Sequence, residues 1–145
     1  MKTILTAATM TLIAGASWAQ EQAVTYPYEG SFGDATFAVE NAIIGKGLVI
    51  DHVSHTGEML ERTREDVGSD VEIFAAADVF LFCSAVVSRK VMEADPMNIA
   101  HCPYSIFVTD MNGEVAIGYP TYPDGVMQEV QSLLDDITQS ALDGF

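Results

Sequence analysis

The strongest constraint on the fold is a short polar break between two apolar runs late in the chain. Ser105 to Val108 and Val115 to Tyr119 flank Asp110-Met111-Asn112-Gly113. An Asn-Gly pair between such runs predicts a tight hairpin, because both central residues of its turn take positive φ. Two neighbouring antiparallel strands are therefore expected, and the rest of the chain must supply the elements that cover them.

Upstream, Val24 to Glu29 reads as a first strand. Ser31-Phe32-Gly33-Asp34 has the form of a capping box with Asp at its third helical position. The helix it opens is expected to reach Lys46, with Ala35, Val39, Ala42 and Ile43 on its buried stripe and Gly45 and Gly47 at its end. Leu48 to His55 alternates as a strand, which predicts Leu48, Ile50, His52 and Ser54 on one face and Val49, Asp51, Val53 and His55 on the other. Thr56 to Asp66 reads as an exposed helix ending near Gly68, whereas Asp70 to Ala77 fits neither periodicity. Val79 to Cys83 is a continuous apolar run suited to a central strand. Ser84 caps a helix that must stop before Asp95-Pro96. Pro120 and Pro123 close the hairpin's second strand, and Asp124 to Ala141 is a final amphipathic helix with Val126, Val130, Leu133, Leu134 and Ile137 on its stripe. The pattern predicts an α+β fold, a small two-layer sandwich with a mixed or antiparallel sheet and helices packed on it. The domain is expected over residues 30–142, with 20–29 as an N-terminal segment.

Residues 1–19 have the layout of a secretory signal peptide. Lys2 is the only charge before Glu21, Ile4 to Ile13 is a short apolar stretch, and Ser17 and Ala19 are the small residues of a cut between Ala19 and Gln20. A periplasmic or secreted protein is expected, with no membrane association after cleavage. The chain carries 6 Lys+Arg against 21 Asp+Glu, and dropping Lys2 leaves 5 against 21, a formal −16. That balance excludes nucleic acid as partner, since a polyanion would be repelled.

Cys83 and Cys102 are the only cysteines. Near each other in an oxidising compartment they would pair; otherwise they are buried apolar residues, or they serve a ligand or redox role. His101-Cys102 places imidazole beside sulfur, with Pro103 fixing the backbone. A donor set from His52, His101, Cys83 and Cys102 would suit a transition metal or haem iron. His52 and His55 point to opposite strand faces and cannot share a metal unless the strand ends between them. No nucleophile elbow, zinc-protease helix, phosphate loop or dinucleotide fingerprint is present, and no catalytic residue is assigned. Asp135-Asp136 reads as a solvated helix face, and Tyr119 to Pro123 as a stiff loop or the lining of a pocket.

From Phe80 onward the chain resembles the domain of unknown function 302 family. The resemblance rests on Leu81-Phe82-Cys83, on Val91-Met92-Glu93-Ala94-Asp95-Pro96, on Ile99-Ala100-His101-Cys102-Pro103, and on Asp110 to Gly113 at the hairpin. Upstream, Gly45-Lys46-Gly47-Leu48 fits between the family's first helix and strand. The chain departs from the pattern at Ser84-Ala85, His101 and Pro103. The resemblance implies an α+β sandwich, a homodimer, no established reaction, and the two cysteines close together around one helix. Three functions follow as expectations: an exported binding or electron-transfer module holding haem, a metal or a small ligand and meeting a redox partner; a non-catalytic homodimeric interaction protein; or a thiol enzyme with His101 activating Cys83 or Cys102.

Overall fold

The computed structural model describes residues 22–144; the expected signal peptide and its cut lie outside the described residues. The order of elements is β1 (Ala23–Pro27), α1 (Phe32–Gly45), β2 (Ile50–Ser54), α2 (Thr56–Thr63), β3 (Ala76–Phe82), α3 (Ala85–Ala94), a 3₁₀ turn (Pro96–His101), β4 (Tyr104–Met111), β5 (Glu114–Pro120) and α4 (Gln128–Asp143). The strands form one five-stranded sheet in the order β1-β5-β4-β3-β2. Every neighbouring pair is antiparallel. The fold is α+β, with helices laid on the sheet, and the segment before residue 30 contributes its edge strand.

The hairpin tightens to two loop residues. Met111 pairs with Glu114, Asn112 and Gly113 have φ of 57° and 85°, and Asp110 Oδ1 accepts the Gly113 N–H at 2.9 Å. Both positive φ values match the turn that follows the strands' own twist. At α1, Ser31 Oγ accepts the Asp34 N–H at 3.1 Å and Asp34 Oδ2 accepts the Ser31 N–H at 3.2 Å. These bonds satisfy donors that a helix start otherwise leaves free; the Ser31 hydroxyl, donating to Asp34 Oδ2 at 2.6 Å, and then the Ser31 N–H hold the Asp34 carboxyl below its usual range.

Phe80, Phe82, Tyr104, Ile106, Val108, Ile117 and Tyr119 line the covered face of the sheet. Val39, Ala42 and Ile43 of α1 and Val130, Leu134 and Ile137 of α4 close over them. This is one continuous core, the main source of stability for a chain this size. On the opposite face Val79, Leu81 and Phe107 are half-buried. Gly118 is required there, since a Cβ would sit 2.5 Å from the Phe107 ring and 2.7 Å from the Val24 carbonyl oxygen. Gly57 has a similar reason, because a Cβ would lie 2.5 Å from the Ala77 nitrogen where α2 crosses β3.

Three sequence expectations change, the first being that α4 starts at Gln128 rather than Asp124, after turns over residues 124–127. Strict alternation fails in β2, where the register shifts between Ile50 and His52. Such a bulge puts two residues opposite one and reverses the faces beyond it. Ile50 opposes Phe82 and Val53 opposes Phe80, so both reach the core, while His52 opposes Leu81 on the other face and is exposed. Helix α2 stops at Thr63 rather than Asp66, and turns carry the chain to Gly68, whose φ is 71°.

Candidate functional site

Strand β3 ends at Phe82 and β4 begins at Tyr104, and these two residues are directly paired. Their antiparallel pairing brings Cys83, one step past β3, to the same end of the sheet as Cys102, two steps before β4. The return path is α3, capped by Ser84 accepting the Val87 N–H at 3.3 Å, then the 3₁₀ turn, whose start Asp95 caps through the Met97 N–H at 2.9 Å. The Cys102–Pro103 peptide bond is cis. The Sγ atoms of Cys83 and Cys102 are 3.5 Å apart, as two half-buried free thiols.

The hydroxyl of Ser88, one turn into α3, lies 3.7 Å from Cys102 Sγ and donates to the Tyr104 hydroxyl at 3.0 Å. Tyr104 meets Tyr122 edge-on, with ring centroids 6.2 Å apart, and Tyr122 meets the His101 imidazole at 5.6 Å. Both tyrosines are buried. Burial pushes the Cys83 thiol up to about 11; the neighbouring Cys102 and the Asp51 carboxylate act in the same direction, while a hydrogen bond from the Tyr104 backbone opposes them. Burial likewise pushes Tyr104 up to about 12, and it raises Tyr122. At neutral pH the Cys83 thiol is protonated, the opposite of the activated nucleophile a thiol enzyme needs.

Of the residues singled out in the sequence, the structure brings Cys83 and Cys102 into contact and sets His101 at their edge, half-buried against Tyr122. It does not bring His52 into their hydrogen-bonded group, because the β2 bulge turns that residue to the opposite face. His55 caps nothing with its side chain; its Nδ1 lies 2.8 Å from Asp78 Oδ1, and this contact raises its pKa. Among the described residues no three His, Cys, Asp or Glu side chains form a metal-binding cluster. Ser88 and Tyr104 were missed in the sequence, where a hydroxyl on a helix and a strand tyrosine carry no motif. Their only signal was position: Ser88 lies four residues after the Ser84 cap, on the helix face that turns back toward the strand ends.

A second polar group lies at the far edge of the sheet. Tyr26 and Tyr119 both donate to Asp135 Oδ1, at 2.8 and 2.7 Å. Asp135 is thus not simply solvated, as its helical position suggested. Its carboxyl is lowered first by the Tyr119 hydrogen bond, with Tyr26 adding to it against the cost of burial, while burial first and the shared bond second raise Tyr119.

The sequence profile of the family described as domain of unknown function DUF302 matches residues 22–142. The chain belongs to the DUF302 family. A solved structure, an uncharacterized conserved DUF302 protein from Bacillus stearothermophilus, is similar over 86% of this chain and 98% of its own, at 15% identity and a TM-score of 0.62. At that identity the likeness establishes a shared DUF302 fold. No curated protein matches the chain.

Proposed function

We propose that this DUF302 chain is an exported electron-transfer module whose redox group is the Cys83–Cys102 pair. The observation that carries the reading is the 3.5 Å separation of two free sulfurs at one end of the sheet. Sulfurs in contact need a shift of roughly 1.5 Å to reach the bonding distance of about 2.0 Å. Oxidation removes one proton and one electron from each thiol, and a disulfide-bearing redox partner accepts them and becomes two thiols. Haem or metal binding would draw on the same sulfurs and His101. Two convergent sulfurs fit paired thiol chemistry better than the four-ligand shell of a structural zinc site. The signal-like first 19 residues support an address where such exchange occurs.

The test is the protein recovered from the periplasm, denatured and alkylated with and without reductant. The reading expects no alkylated cysteine before reduction, two after it, and an intact mass starting at Gln20. A visible absorption band or stoichiometric metal, with both thiols free, would favour the metal-holding module instead.

A homodimeric interaction protein is the second reading, favoured by the half-buried apolar residues Val79, Leu81 and Phe107 on the sheet face opposite α1 and α4. Sedimentation equilibrium decides it: a dimer that Phe107→Asp converts to monomer supports the reading, and a monomer at all concentrations removes it.

A further inference from the structure

The two sulfurs are chemically unequal. Cys83 sits between Phe82 and Ser84, which are 0% and 6% exposed, and the Asp51 carboxylate acts against its thiolate. Cys102, between half-buried His101 and exposed Pro103, is half-buried like Cys83 and packs against the core. The Ser88 hydroxyl lies 3.7 Å from its sulfur, and the Tyr104 hydroxyl also bonds to it. A hydroxyl rotates freely and can turn its proton toward a thiolate, and hydrogen bonding to the charged form favours that form. Ser88 gives its proton to the Tyr104 hydroxyl at 3.0 Å while Cys102 is a thiol; turning to a thiolate exchanges that bond for a charge-assisted one.

We infer that Cys102 is the sulfur through which exchange with a disulfide-bearing partner runs, that Cys83 resolves the mixed disulfide, and that Ser88 is a positioning residue for the attacking thiolate. The inference rests on the reading of the pair as a redox couple. In the first step Cys102 Sγ attacks one sulfur of the partner's disulfide. The partner's S–S bond breaks, a Cys102–partner bond forms, and the released thiolate takes a proton. Cys83 Sγ, 3.5 Å away, then attacks Cys102 Sγ, and the second partner thiolate leaves. Two electrons have passed to the partner and the Cys83–Cys102 disulfide has formed.

The experiment treats reduced mature protein with glutathione disulfide and follows intact mass. Wild type is expected to lose both free thiols without keeping an adduct. Cys83→Ser is expected to accumulate one stable glutathione adduct at Cys102, and Cys102→Ser to react about tenfold more slowly, since Cys83 forms thiolate reluctantly. In the Cys83→Ser background, Ser88→Ala should slow formation of the Cys102 adduct at fixed pH by about tenfold, the loss of one hydrogen bond to the attacking sulfur, and Ser88→Thr should restore it. A purely structural Ser88 would leave that rate in place. Peptide mapping of the first sulfur alkylated in wild type gives the same assignment without relying on the variants' folding. Faster modification of Cys83 overturns the assignment of roles while leaving the couple intact. A wild type that keeps both thiols under glutathione disulfide overturns the couple and this inference with it.

Discussion

The sheet carries a polar group at each of two distant places, and they are built on opposite principles. At the β1–β5 edge, the Asp135 carboxylate accepts two tyrosine hydroxyls at 2.7 and 2.8 Å. Donors and acceptor match, the charge is stabilised, and the group ties both strands to α4. At the β3–β4 end, two neutral thiols face each other at 3.5 Å. A thiol is a weak donor and a weak acceptor, so little is gained by that contact as it stands. The pair gains most by a covalent change. A satisfied network explains itself as structure, whereas a half-buried contact between weakly interacting, oxidisable groups points to chemistry.

Three perturbations separate the two regions, and a fourth checks an ion pair outside both. The largest effect should come from oxidation. Closing a loop across a separation of 19 positions stabilises by about 3 kcal/mol on the chain-entropy account, seen as a higher urea midpoint for oxidised protein than for reduced. An oxidised form less stable than the reduced would break the comparison at the thiol end. Next, Asp135→Ala strands two tyrosine hydroxyls and should cost about 1–3 kcal/mol, with alkylation of the cysteines unchanged. No loss of stability would show that the tyrosine–carboxylate group ties nothing together.

The third effect is a pH dependence. Cys83 has a folded value raised from 9.0 to about 11, so between those values the folded state holds a proton that the unfolded state has lost. Stability of the reduced protein is therefore complete below about pH 9 and declines as pH rises toward 11. The oxidised protein lacks that group, so the gap between the two forms should widen over this window. Urea titrations of both forms at pH 8 and 10.5 check it, and a constant gap would remove the burial of Cys83 from the account. The smallest effect is at His55, whose Asp78 contact should raise its pKa above the ordinary 6.5 by NMR titration, with Asp78→Asn returning it.

Local chemistry was legible in the sequence where one residue type decides one conformation. Ser31 and Asp34 read as a capping box and are one; Asn112-Gly113 reads as a turn and is one. The apolar run ending at Cys83 and the strand after Pro103 were legible as strands, but the residues left their relative direction open; the family resemblance implied that the cysteines lie close, and the antiparallel β3–β4 pairing puts them at one end. What stayed hidden depended on registers and three-body contacts. One extra residue in β2 sends His52 away from the face that alternation gives it, and a bulge of this kind leaves no mark in hydrophobic periodicity. Ser88 beside Cys102 requires the pitch of α3 and the path of the 3₁₀ turn together. Asp135 sits beside the buried Leu134 on the apolar stripe's margin, and only the strands beneath α4 show which neighbours it has.

The central claim is that Cys83 and Cys102 act as one two-electron couple. Equilibrating the mature protein across a series of reduced-to-oxidised glutathione ratios, then trapping and counting thiols, tests it most directly. The account predicts a single transition in which both thiols disappear together, with the dependence on glutathione of a two-electron exchange and no stable adduct at midpoint. Two thiols that stay free at the most oxidising ratio, or that titrate separately as independent glutathione adducts, would contradict it.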